Sequence, residues 1–200
     1  MTNTATTNRK SAERAARKEL ILQGALAVFK EKGLEGAKID EIARVSGFGK
    51  ATLYYYFTSK EEIFNALLLQ GWLSLWRELE DTIDISDSPR RTFISMLKKI
   101  AETVNTDRPL YEFLFFVPRS FSAEEIEKGE WKQYQNRLYK VLLELIEAGI
   151  KKGQFPQMDP NLVLKALGGL FHGLVFWGKE KEKVSENLIE EMLDSMLKHN

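Results

Sequence analysis

The chain has no cysteine and only two histidines, His172 and His199. The first absence excludes disulfides and thiolate metal sites, and it fits a reducing compartment, so the expected location is the cytoplasm. The histidines fall in separate helical stretches, without His-x-x-x-His spacing. No metal or other cofactor is therefore expected. No apolar run reaches the roughly 18–20 uncharged residues of a membrane span. The longest, Ala166 to Trp177, is shorter and contains His172. Sustained period-two alternation is also missing, so no strand is expected, nor a glycine-rich phosphate loop following one. Met1 to Arg9 is polar, with no hydrophobic segment after it. It does not read as a secretory signal, and residues 1–10 are expected to form a disordered arm.

Net charge is absent too, with 29 basic residues against 29 acidic. That balance hides a division. Residues 1–60 hold 11 Lys/Arg and 6 Asp/Glu, for +5, and the remainder carries −5. A basic first third on an acidic remainder suits a nucleic-acid-binding head on a body that does not bind it. Two hundred residues, 44% of them hydrophobic, suffice for one or two domains with real cores.

What is present is helix punctuation. A first helix is expected from Ser11 to Lys32, with Leu20, Ile21, Ala25, Val28 and Phe29 on one face and Gly33 as its stop. Ile39, Ile42, Ala43 and Val45 form a second apolar stripe, broken at Gly47, where a sharp turn favours positive φ. Leu53 and Phe57 resume the stripe four residues apart. This is a helix-turn-helix pattern, whose second helix enters the DNA major groove. The small Ala43 suits a close helix crossing. Ser59-Lys60-Glu61-Glu62 is a capping box opening a helix to Ile83.

Ser88 and Pro89 start another helix, reaching Val104. A short one follows from Arg108 to Val117. A second capping box, Ser122 to Glu125, opens a long helix to Lys152. Asp159-Pro160 starts a helix through Trp177, and Val184 to Lys198 is the last. The expected architecture is all-α, with nine helices: a three-helix head over 11–58 and a six-helix body over 59–200.

Ala25-x-x-x-Phe29-x-x-x-Gly33, Ile42-Ala43-x-x-x-Gly47 and Leu53-Tyr54-Tyr55-Tyr56-Phe57-x-Ser59-Lys60-Glu61-Glu62 together resemble the TetR family of bacterial repressors. The resemblance is specific over residues 20–64; beyond them only helix number and length agree. It implies a homodimeric transcriptional repressor and not an enzyme. Such a repressor leaves a pseudo-palindromic double-stranded DNA operator when a small effector binds the body. By position, Lys50 to Phe57 is the recognition helix. Thr52 and Tyr54 would lie near bases, because a threonine or an aromatic face can contact thymine methyls. Tyr55, Lys50 and Lys60 would meet phosphates, Lys60 at a helix N-terminus whose dipole attracts them. Tyr56 and Phe57 would pack inside. Lys38 stands where the family commonly has Thr or Ser. That loses a cap worth about 1 kcal/mol and puts a cation where phosphate lies. Gly49 replaces a common Ser and offers no hydroxyl. In the basic run ahead of the core, Arg9 and Arg14 are candidate arm contacts to DNA, against the alternative of a solvated helix end.

The body is rich in large aromatics at helical spacing, most of them core. The resemblance implies a pocket among its middle helices, with Trp72, Trp76, Phe113, Phe116, Phe171 and His172 as candidate lining. Such a lining suits a lipophilic effector, an acyl chain or an aromatic compound. Glu112 is the one acid in that apolar stretch, and if it points inward a cationic effector fits instead. Leu167, Gly169, Leu170, Gly173, Leu174 and Trp177, with Leu188, Met192 and Met196 of the last helix, are the expected dimer interface. The alternative is that the glycines serve packing within the chain or make room for effector. Two other readings stay open: an all-helical small-molecule-binding or scaffold protein without operator binding, and an unrecognised helical enzyme.

Overall fold

The computed structural model describes residues 2–83, 88–116, 129–177 and 185–197; the side chains of residues 2–8, 186, 196 and 197 lie outside that description. Among the described residues there are nine helices and no strand. They are α1 (Thr2–Gly36), α2 (Ile39–Val45), α3 (Lys50–Tyr56), α4 (Lys60–Glu80), α5 (Pro89–Thr106), α6 (Arg108–Phe116), α7 (Trp131–Lys151), α8 (Pro160–Trp177) and α9 (Glu186–Leu197). The all-α expectation holds. The second capping box, Ser122 to Glu125, and the expected helix ends at Val117, Val184 and Lys198 lie outside the described residues.

Two expected boundaries change. α1 begins at Thr2, so residues 2–10 extend the helix instead of forming a disordered arm. No glycine or proline falls between Thr2 and Gln23, so nothing stops a helix nucleated on the core-facing turns from propagating back. The chain also divides into two compact units at Gln70/Gly71, inside α4, and not at 58/59. The first half of α4 belongs to the head. Phe64 meets Phe29 edge-on with ring centroids 5.5 Å apart, Ile63 and Leu67 are buried, and Gln70 donates to Glu19 at 2.8 Å.

In the head, Ile21, Ala25, Val28 and Phe29 of α1 share a core with Ile42 and Ala43 of α2 and with Leu53 and Phe57. Leu20 and Val45, expected on the inner stripe, are exposed instead. Each neighbours an inward residue, and one helical step turns a side chain by about 100°. α2 ends in a Schellman motif. Gly47 has φ 75°, the Phe48 N–H donates to Ala43 O at 2.9 Å, and the Gly47 N–H donates to Arg44 O at 3.2 Å. These bonds satisfy carbonyls the helix end leaves free.

α1 approaches the end of α2 closely at Gly24. A Cβ there would stand 2.3 Å from Ser46 Oγ, 2.9 Å from its N and 3.0 Å from its Cα. Ser46 cannot withdraw easily, because its N–H donates to Ile42 O at 2.9 Å and its hydroxyl donates to the same oxygen at 2.6 Å. Ala43 is buried as expected, but the glycine opposite Ser46 is what lets the backbones meet.

The body is built around α5, which buries ten of its eighteen residues and packs against α6, α7, α8 and α9. Its start is as expected: Pro89 is in the first turn, and Ser88 Oγ accepts from the Arg91 N–H at 3.3 Å. α8 is capped likewise, Asp159 accepting from the Asn161 and Leu162 N–H groups at 2.8 and 3.0 Å. Gly24→Ala is expected to cost about 1–3 kcal/mol of stability, the usual range for overpacking, in urea unfolding of the full chain. Unchanged stability would show that α1 and α2 separate without penalty.

Candidate nucleic-acid interface and ligand site

α3 has seven residues, too few to persist as an isolated helix. Leu53 and Phe57, both buried, anchor it from one side. The other side is left outward: Lys50 is exposed, Thr52 half-buried, Tyr54 49% exposed and Tyr55 71% exposed. Two large rings stand in water on a helix with a fully anchored inner face. Tyr56 is half-buried and meets the Tyr55 ring edge-on at 5.1 Å; of the pair expected inside, only Phe57 is fully enclosed.

The basic residues of α1 reach this surface. The Arg14 guanidinium lies 5.9 Å from the centre of the Tyr55 ring, and the Lys18 ammonium 5.3 Å from that of Phe57. Arg9 pairs with Glu13 on its own helix at 3.2 Å, both exposed. Lys50 pairs with Asp40 at 2.8 Å, an exposed ion pair whose hydrogen bond raises the lysine pKa. Lys38 is exposed, takes the extended N-cap conformation before α2 and makes no side-chain cap bond. Gly49 caps α3 in the same bare way.

Lys60 is placed differently from the phosphate-facing expectation. Its ammonium donates to the carbonyls of Leu34, Glu35 and Ala37 at 2.8, 3.1 and 3.5 Å. The capping box beside it is shifted by one residue. Ser59 Oγ accepts from the Glu62 N–H at 3.2 Å, while the Glu62 carboxylate accepts from the N–H and hydroxyl of Thr58 at 2.6 and 2.8 Å.

In the body, the candidate lining residues separate into three groups. Phe116 and His172 meet edge-on at 4.5 Å and join Phe176 and Trp177 in one aromatic cluster. Phe115 links this cluster to Trp72, at 5.5 Å from Phe176 and 5.4 Å from Trp72. Sequence reasoning missed Phe115 and Phe176, although Phe176 lies one turn beyond His172. Trp72 is fully buried, and its indole Nε1 has no hydrogen-bond partner among the described residues. Trp76, by contrast, donates to Glu80 at 3.1 Å and lies under the Arg137 guanidinium at 4.3 Å. Phe113 and Phe171 are buried. Glu112 is paired with Arg108 at 3.1 Å, and Arg108 also donates to Phe176 O at 3.1 Å. The carboxylate thus has its countercharge, which removes the ground for a cationic effector.

On α8 one expected interface residue is corrected. Leu167 is 2% exposed and belongs to the body's own core. α8 is apolar nearly all round, and such a helix does not declare its inner face in sequence. Gly169 is exposed, Leu170, Gly173 and Leu174 are half-exposed, and Trp177 is 81% exposed. Leu188 is exposed and Met192 half-exposed; the Met196 side chain lies outside the described residues. Leu162, which was not anticipated, extends the outer face at the start of α8. A Cβ at Gly168 or Gly169 would meet no atom within 4 Å, so these glycines do not serve close packing within the chain.

Residues 21–67 match the family model for bacterial regulatory proteins of the tetR family. YdgC of Bacillus subtilis, an uncharacterized HTH-type transcriptional regulator, is 30% identical over 161 residues, 77% of this chain and 76% of its own. The chain belongs to the TetR family. It is a helix-turn-helix transcriptional regulator, with α2 and α3 as the DNA-binding motif, in a family that is not enzymatic. Two solved structures share the TetR-family fold. AibR, in complex with isovaleryl coenzyme A and operator DNA, superposes with a TM-score of 0.74 at 18% identity, over 90% of this chain and 98% of its own. FadR from Bacillus subtilis, in complex with stearoyl-CoA, superposes with a TM-score of 0.68 at 19% identity, over 90% and 97%. Among the described residues, no helix of this TetR-family chain is long and apolar enough to cross a membrane.

The Thr58 N–H, and then its hydroxyl, hold the Glu62 carboxyl below its ordinary value of 4.5. Because the folded value is depressed, this stabilisation is complete above the unfolded value and is lost as pH falls through the folded one. Glu62→Gln should therefore be less stable than the parent at pH 7, with the gap closing below about pH 4. Unfolding curves across that range read this directly. A gap independent of pH would show that the carboxylate charge is not its source.

Proposed function

We propose that the chain is a dimeric, cytoplasmic repressor that reads a pseudo-palindromic operator with α3 and releases it when an acyl-type effector enters the body. The observation that carries the first half is the exposed Tyr54 and Tyr55 on a helix whose other face is anchored by Leu53 and Phe57. Tyr54 and Thr52 read bases in the major groove. Tyr55, Lys50 and Lys38 take phosphates, and Arg14, held over the Tyr55 ring, adds a phosphate contact from α1. Lys50 exchanges its exposed partner Asp40 for phosphate at little cost, since such surface pairs are worth about 0–1 kcal/mol. Arg9 contributes only general attraction, being paired within α1.

The outer faces of α8 and α9, with Gly169, Gly173, Trp177, Leu188 and Met192, pair with those of a second copy. Exposed apolar surface alternating with glycine on a helix suits close approach of another helix. Two-fold symmetry then presents two α3 helices to two half-sites.

The effector reading draws on the ring cluster from Trp72 to His172 and on the unpartnered Trp72 Nε1. A buried donor without a partner costs about 1–3 kcal/mol, so an effector that offers it an oxygen gains in affinity. An acyl chain with its carbonyl has both the apolar body and the acceptor, and the fold neighbours AibR and FadR hold acyl-CoA. α4 is one helix from Lys60 to Glu80. Displacement at Trp72 is carried along it toward the head, and the effector weakens DNA binding by favouring one spacing of the paired α3 helices.

Tyr54→Ala should lose about 1–3 kcal/mol of discrimination between operator and random DNA, measured by competition. Equal losses on both would move Tyr54 off the bases. Long-chain acyl-CoA should quench or shift tryptophan fluorescence and weaken operator affinity by about 5–150-fold, with Trp72→Phe binding it more weakly. If acyl-CoA leaves operator affinity unchanged, the acyl effector is wrong while the DNA reading stands.

A further inference from the structure

We propose that Lys60 is a positioning residue for DNA binding: its ammonium gathers three carbonyls of the α1–α2 connection and fixes where the helix-turn-helix begins. The inference rests on the DNA-binding reading above and replaces the phosphate contact expected of this lysine.

The connection needs such a tie. Gly33, at φ 68°, turns the chain out of the regular course of α1, and of the carbonyls that follow, Leu34 O takes the Ala37 N–H at 3.3 Å in place of the bond a continuing helix would supply. Residues 34–37 then lead directly to Lys38, the N-cap of α2, which has no side-chain cap bond. An ammonium has three N–H groups and no acceptor. Leu34 O, Glu35 O and Ala37 O stand at 2.8, 3.1 and 3.5 Å from Lys60 Nζ, a carbonyl for each donor. The positive charge also lies where the end of α1 concentrates negative dipole. The ammonium thus satisfies carbonyls just ahead of the uncapped Lys38, from a residue 22 positions further along the sequence.

Lys60 is the first residue of α4, and α3 ends at Tyr56. One side chain therefore joins the exit of α1, the entry of α2 and the start of the helix that follows the recognition helix. Movement of α4 reaches α3 through residues 57–59 and reaches α2 through this ammonium. With both routes intact, α2 and α3 move as one unit. Without the ammonium, α2 is still held to α1 by their shared core, by the close approach at Gly24–Ser46 and by the Lys32–Glu41 ion pair, but the connection between them loses this side-chain tie.

The test uses the full chain, Lys60→Met and Lys60→Arg. Methionine keeps the stem and loses the donors. Arginine keeps the charge and binds phosphate at least as well, but its planar fork does not converge on three carbonyls. Without DNA, amide protection of Glu41 and Ile42, whose N–H groups bond to Lys38 O at 3.0 and 3.1 Å, should fall about tenfold or more in both variants, as loss of charged hydrogen bonds implies. Operator affinity should fall in both, with the slope of log affinity against log salt unchanged from the parent. The proposal is overturned if protection is unaltered in Lys60→Met. It is equally overturned if that variant's salt slope becomes shallower by about 0.9 while Lys60→Arg restores parental affinity, the behaviour of a phosphate contact. A parent chain that binds no duplex DNA would sink the functional reading, and the exchange result would still decide the clamp.

Discussion

Burial of Leu53 and Phe57 is the interaction on which the head depends. α3 is too short to hold its shape alone, and the exposed tyrosines on its outer side contribute little to folding. Its helical form comes from two apolar side chains buried in the core of the head. Everything around it serves to keep that seat in one position. Gly24 lets α1 and α2 come within backbone contact at Ser46, Gly47 turns the chain out of α2, and Lys60 and Glu62 secure the start of α4. The outer face is thereby free to carry residues chosen for what they touch, Tyr54, Tyr55, Lys50 and Thr52.

The body obeys the opposite economy. α5 is enclosed by four helices, and most large side chains are ordinary core. The polar exceptions are informative because they differ. Trp76 has its carboxylate and its overlying guanidinium. Glu112 has Arg108. Trp72 is the most deeply buried of the three, and its N–H has no described partner. Three polar groups in one region, two satisfied and one not, direct attention to Trp72 and the adjoining rings as the place where a ligand acceptor has most to add.

Much of the head was legible in the sequence, because its signals are local. Apolar residues three and four apart define a helix face, a glycine at a sharp turn announces positive φ, and Ser88-Pro89 or Asp159-Pro160 marks a helix start. What escaped is what distant residues decide. Leu20 and Val45 are apolar, yet each lies one step from the inward direction. Residues 2–10 look like a loose end by composition but contain nothing that stops a helix. Leu167 sits on a helix apolar all round, so only packing reveals that it faces inward. Lys60 looked like a phosphate ligand from its place at a helix start. The carbonyls that hold it lie more than twenty residues away, and no spacing rule connects them. Phe115 and Phe176 joined the candidate site for the same reason, through contacts between helices.

The central claim is that paired α3 helices hold duplex DNA at two symmetric half-sites. Hydroxyl-radical footprinting of a genomic fragment retained by the purified chain tests it most directly. The account predicts two protected stretches related by a dyad, with centres about one helical turn apart or a multiple of it. A single protected stretch without symmetry, or no protection at concentrations that retain the fragment, would contradict it.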